Sequence, residues 1–135
     1  MIGRSRAREV ALQVLFEDDL NPGRNPAEGD QFMRNRIQLP EVIEFARFLV
    51  SGVRRNREEL DAILSRTADN WSLARMAVTD RNVLRLGAFE ILYTDMPERV
   101  AINEAVVLAK RYGAKQSAHF VNGVLDKLIA GHEKK

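Results

Sequence analysis

Three arginines, Arg4, Arg6 and Arg8, open a helical pattern whose far end carries Glu17, Asp18 and Asp19. A helix bears partial positive charge at its N-terminus and partial negative charge at its C-terminus. Both clusters therefore sit at the disfavoured end, where each exposed charge costs about 0.3–1 kcal/mol. Function is one physical reason for a local rule to be broken. Guanidinium groups around a helix N-terminus can hold phosphate oxygens through charge-assisted, bidentate hydrogen bonds. The chemistry these residues suit is binding of an RNA backbone, with Arg4, Arg6 and Arg8 as candidate contacts.

A second group of functional side chains surrounds Gly113: Tyr112, Lys115, Gln116, His119 and Phe120. Cationic, amide and aromatic groups together suit single-stranded RNA, whose bases stack and expose their edges. The outline of helix, glycine turn and helix also fits a DNA-reading helix-turn-helix, with Lys115, Gln116 and His119 opening the recognition helix. Against that reading, the following helix devotes a wide face to Phe120, Val121, Val124, Leu125, Leu128 and Ile129, as a central core helix would. A protein-only adaptor is a third reading.

Catalysis lacks its parts. The two histidines, His119 and His132, are too few for a zinc site. Glu58, Glu59 and Asp61 read as a solvated helix face. Ser117 and His119 are two residues apart and point to different sides of a helix. No glycine-rich phosphate loop is present. The expectation is a binding protein that is not an enzyme and needs no cofactor or metal.

The 135 residues bound the rest. Apolar residues make up 45%, enough for a real core. Cysteine is absent, so disulfides and thiolate metal sites are excluded and a reducing cytoplasm is the natural compartment. The polar, basic start carries no signal-peptide pattern, and no apolar run approaches a membrane span. Formal net charge is +2, but it is distributed as +2 over residues 1–16, +4 over 110–135 and −4 between them. If the two ends meet in the fold they form one basic face, and an acidic surface elsewhere could receive a basic partner.

Apolar spacing of three and four residues positions these groups on about seven helices, with no strand-like alternation. Residues 5–20 form the first, with Ala7, Val10, Ala11, Val14 and Leu15 on one face, stopped by Asn21-Pro22-Gly23. Asn25-Pro26-Ala27-Glu28 reads as a cap that starts a short second helix, weakened by Gly29. Pro40 opens the third, with Val42, Phe45, Ala46, Leu49 and Val53 inward. Asn56 to Glu59 repeats the capping box and starts a fourth with Leu60, Ile63 and Leu64. Residues 69–72 connect, Trp71 plugging a junction between helices, and a brief turn covers 73–77. Thr79 or Asp80 caps the fifth helix, which buries Val83, Leu84, Gly87 and Ile91 and runs to Thr94, with Met96-Pro97 ending the segment. Residues 101–112 form the sixth, burying Ile102, Ala105, Val106 and Ala109. Gly113 sits where a left-handed C-cap belongs. Ser117 or a neighbour starts the seventh, in which Gly123 lets another helix approach closely and Asn122 is open between packing and function. Lys134 and Lys135 read as a mobile tail. The internal seam falls near Asn56, giving an N-terminal part of residues 1–56 and a C-terminal part of 57–135 within one domain.

Four stretches in order, RSRAREVALQVLF (4–16), VLRLGAFE (83–90), VAINEAVVLAK (100–110) and FVNGVLD (120–126), resemble the NusB family over nearly the whole chain. The resemblance implies an all-α fold of two packed, roughly perpendicular helical bundles. It implies a transcription antitermination factor that binds boxA RNA together with NusE, a small-subunit ribosomal protein, and helps RNA polymerase read through ribosomal RNA operons. It implies RNA contacts at Arg4, Arg6 and Arg8 and near Gln116 and Phe120, and a NusE-facing surface that includes Phe16 and Asp80. Oligomeric state stays open between monomer and homodimer.

Overall fold

The structure, a computed structural model, describes residues 2–68 and 71–132, without the side chain of Ile2. Among the described residues there are seven α-helices and one 3-10 turn, and no strand. The helices are α1 (Ile2–Leu20), α2 (Pro26–Arg36), α3 (Pro40–Arg55), α4 (Arg57–Thr67), α5 (Val78–Tyr93), α6 (Glu98–Tyr112) and α7 (Ser117–Gly131), with the 3-10 turn at Leu73–Arg75. The chain folds as two compact units, Met1–Arg54 and Arg55–Lys135. Asp69, Asn70, Lys134 and Lys135, read above as connection and tail, lie outside the described residues.

In the first unit, α1 buries Ala7, Val10, Ala11, Val14 and Leu15, as its spacing requires. The helix begins a turn earlier than the apolar pattern indicated, at Ile2. A Cβ on Gly3 would stand 2.8 Å from Val42 Cγ2, so the glycine lets the first turn lie directly on α3. Asn25 caps α2 as expected, its Oδ1 accepting from Ala27 N–H at 3.0 Å with Pro26 opening the helix. Gly29, expected to weaken α2, is a packing residue: a Cβ there would meet Val14 at 2.9 Å and the Arg54 guanidinium at 3.1 Å. Two carboxylates bind α3 to its neighbours. Arg54 donates to both oxygens of Asp18 on α1 (2.7 and 3.0 Å), and Arg47 to both of Asp30 on α2 (2.7 and 3.2 Å). On α3, Ala46, Leu49 and Val53 are buried, while Val42 and Phe45 are half-buried.

The second unit is built around α5, which is buried at every residue from 82 to 92. A helix enclosed on all sides is a central helix. The central helix is thus α5 and not α7, whose His119, Gly123, Asp126, Lys127 and Ala130 are exposed. The buried guanidinium of α5 is matched. Arg85, whose side chain is 5% exposed, makes a bidentate pair with Asp61 of α4 at 2.7 and 3.0 Å and donates to Asn82 at 3.1 Å. Helices approach closely at Gly87, where a Cβ would lie 2.8 Å from Leu125 Cδ1 on α7 and 3.3 Å from Ala105 Cβ on α6. Gly123, assigned to close packing from the sequence, faces open space. Asn122 donates to Asp126 at 3.3 Å on the surface of α7.

Three caps differ from expectation. Asn56 makes no side-chain cap, and α4 starts on its backbone, with Leu60 N–H donating to the Asn56 carbonyl at 2.9 Å. The fifth helix starts at Val78 after Ala77, so Thr79 and Asp80 lie inside its first turn. Gly113 is extended (φ −94°, ψ −171°), not left-handed. It is required on steric grounds instead: a Cβ there would come within 2.6 Å of Ser117 Cβ and Oγ and 2.7 Å of the Ala109 carbonyl.

Candidate nucleic-acid interface

The N-terminal arginines occupy three different environments. Arg4 is exposed, and its guanidinium lies 4.5 Å above the centroid of the Phe45 ring. Arg8, one turn on and on the same side of α1, stands 5.3 Å from the same centroid but is only 3% exposed. Its long side chain packs α1 against α3, and it does not stand with the others at the surface. Arg6 is exposed on another side and pairs with Glu9 at 3.3 Å, an exposed i,i+3 contact weak enough to exchange for another anion. The inverted charge of α1 is therefore partly structural: Arg8 is buried beside an aromatic ring and Asp18 anchors Arg54. Arg4 and Arg6 are the cations left at the surface. Phe45 stacks with the half-exposed Phe48 at 6.3 Å, so an aromatic layer underlies Arg4.

In the second unit, the turn between α6 and α7 is fixed from both sides. Gly113 N–H donates to the Ala109 carbonyl at 2.9 Å, and Ala114 N–H donates to the buried Ser117 Oγ at 2.9 Å. This holds Lys115 and Gln116 exposed at the mouth of α7. Phe120 follows one helical turn on, its N–H donating to the Gln116 carbonyl at 3.1 Å. Tyr112 is half-buried at the end of α6, with the Arg111 guanidinium 5.7 Å from its ring centroid. Lys110 and Arg111 supply positive charge in the last turn of α6, where the helix dipole favours it.

Trp71 does not plug a helix junction. It is 57% exposed and meets Phe120 edge to face, ring centroids 5.2 Å apart at 63°. A large aromatic that is half in water, touching a candidate nucleic-acid contact, is the residue that the sequence reading missed. The available signal was its isolation as the single tryptophan, in a polar connection with no helical stripe to join.

A family model described as NusB family matches residues 5–130. The chain belongs to the NusB family. Among curated relatives, the transcription antitermination protein NusB of Anaeromyxobacter dehalogenans strain 2CP-1 is 46% identical, covering 95% of this chain and 91% of that protein. Among solved structures, Thermotoga maritima NusB superposes with a TM-score of 0.85 at 35% identity, covering 96% of this chain and 92% of that one. A chain in the crystal structure of antitermination factors NusB and NusE in complex with dsRNA gives a TM-score of 0.87 at 31% identity, covering 98% and 99%. The all-α fold of this NusB-family chain is thus shared with structures of known family.

The two residues assigned to a partner surface lie in different units. Phe16 is half-buried on α1, near the exposed Leu20. Asp80 is in the first turn of α5, where a carboxylate is favoured by the helix dipole; its buried Oδ1 has no hydrogen-bond partner. Among the described residues, no helix of this NusB-family chain is long and apolar enough to cross a membrane.

Proposed function

We propose that this protein is a cytoplasmic, RNA-binding transcription antitermination factor. It takes boxA RNA together with NusE and promotes read-through of ribosomal RNA operons by RNA polymerase. The observation that carries this is likeness along almost the whole chain to a protein solved with NusE and dsRNA, joined to membership of a family whose curated relatives are transcription antitermination proteins. The mechanism is binding without a chemical step. Arg4 and Arg6 neutralise phosphates and release counterions. Lys115, Gln116 and Phe120, with Tyr112 behind them, meet bases and backbone at the second unit. Phosphate contacts position the strand, and base edges supply discrimination. Phe16 in the first unit and Asp80 in the second are each assigned a NusE contact, and the basic character of NusE suits the Asp80 carboxylate.

The test is RNA binding measured at one fixed salt concentration, with and without purified NusE. It compares boxA RNA, a scrambled RNA and duplex DNA of the boxA sequence. The expected result is preference for boxA RNA, strengthened by NusE. Equal binding of duplex DNA, or RNA affinity indifferent to both sequence and NusE, overturns the proposal.

A further inference from the structure

We infer that Trp71 is a stacking platform for an unpaired RNA base, completing with Phe120 an aromatic corner that the α6–α7 turn supplies with cations. This deepens the RNA-binding reading above and rests on it. Tryptophan is highly buried on average, yet this one keeps 57% of its surface in water. The side chain is nonetheless held. The Trp71 ring packs edge to face on Phe120, and the Trp71 backbone N–H donates to the Ala68 carbonyl at 2.7 Å, which fixes the main chain at the end of α4. Phe120 is in turn fixed in the first turn of α7 by its bond to the Gln116 carbonyl. An indole whose backbone is tied to the end of α4 and whose ring rests on Phe120, with the rest open, is preorganised for stacking, because less side-chain freedom is lost when a flat ligand arrives.

The chemistry around it selects the occupant. Lys115 and Gln116 are exposed on the same turn, and Arg111 is exposed just before it. A base presents a π-face to the indole, an edge to an amide, and a phosphate to a cation, and each of these groups is present. A protein partner would call for a broader apolar surface than one ring and its half-buried neighbour.

The chain's only tryptophan makes the test direct. Binding of end-labelled single-stranded boxA RNA is followed by anisotropy, and Trp71 emission is recorded in parallel on the chain alone. Emission should change with the same midpoint as anisotropy. Trp71→Ala should weaken binding between about 5- and 150-fold, the range for loss of one stacked base. Trp71→Phe, which keeps a ring, should lose less, with the melting temperature of each variant measured alongside. RNA that binds with unchanged emission and unchanged affinity in both variants overturns the platform while leaving the RNA-binding reading intact. So does a Trp71→Ala variant that loses NusE affinity and keeps RNA affinity. A wild-type chain that binds no RNA, alone or with NusE, overturns both.

Discussion

The Arg4 guanidinium rests 4.5 Å above the Phe45 ring centroid, on a helix first turn that Gly3 holds close to α3. A cation over a ring face is attracted to it by about 0.5–1 kcal/mol at an exposed site. Its planar fork is thereby oriented before any anion arrives, while Arg8 below it is committed to packing.

Arg4 and Arg6 should accordingly behave differently from Arg8. The double variant Arg4→Ala/Arg6→Ala is expected to keep its melting temperature and to reduce the salt dependence of RNA binding by about 1.4 in log–log slope, at about 0.7 per single-stranded phosphate contact. Arg8→Ala should instead destabilise the fold by about 1–3 kcal/mol through lost packing of a buried side chain. Binding titrations at several salt concentrations and urea unfolding separate the two effects.

Gly87 and Gly123 should respond with opposite signs to alanine. At Gly87 the new methyl meets Leu125, itself fully buried, so overpacking should cost about 1–3 kcal/mol. At Gly123 the methyl enters open space in a helix interior and should stabilise by up to about 1 kcal/mol. Thermal unfolding of the two single variants checks the pair, and equal signs would refute the packing assigned to α5, α6 and α7.

Removing the carboxylate of Asp61 takes the bidentate partner from a buried guanidinium. Arg85 is 5% exposed and its bidentate partner is Asp61, so Asp61→Ala should cost about 3 kcal/mol, the low end for breaking a buried pair, because Asp61 itself reaches solvent. The double change Asp61→Ala/Arg85→Met should recover part of that loss, since no unpaired charge then remains buried. Chemical denaturation of the single and double variants provides the measurement.

The Asp30–Arg47 pair makes a small pH-dependent contribution. The hydrogen bond from Arg47, with the charges of Arg47 and Arg34, holds the Asp30 carboxyl below its ordinary value. A depressed carboxyl stabilises the fold above its unfolded pKa near 4, and that stability is lost as pH falls through the lower folded value. For a pair this exposed the effect should stay under about 1 kcal/mol. Asp30→Asn should therefore be slightly less stable than wild type at pH 7, with the difference shrinking as pH falls through the lowered folded value, as read from urea midpoints over a descending pH series.

Seven helices were legible in the chain because amphipathic spacing is local: Ala7, Val10, Ala11, Val14 and Leu15 declare one face of α1 whatever lies against it. The cap at Asn25 was legible for the same reason, since its acceptor and donor are two residues apart. So were the basic and aromatic groups around Gly113, which share one turn. What packs against what is not a local property. Only tertiary structure decided that Gly87 and not Gly123 marks the close approach, that α5 is the enclosed helix, and that Gly113 serves by its missing Cβ and not by a left-handed backbone. The same holds for Arg8, Asp18 and Trp71. A charge pattern along one helix cannot reveal that Phe45 will cover one arginine or that Arg54 will claim one aspartate. Nor can a lone tryptophan in a polar stretch announce that its partner is a phenylalanine 49 residues further on, because burial is set by neighbours distant in sequence.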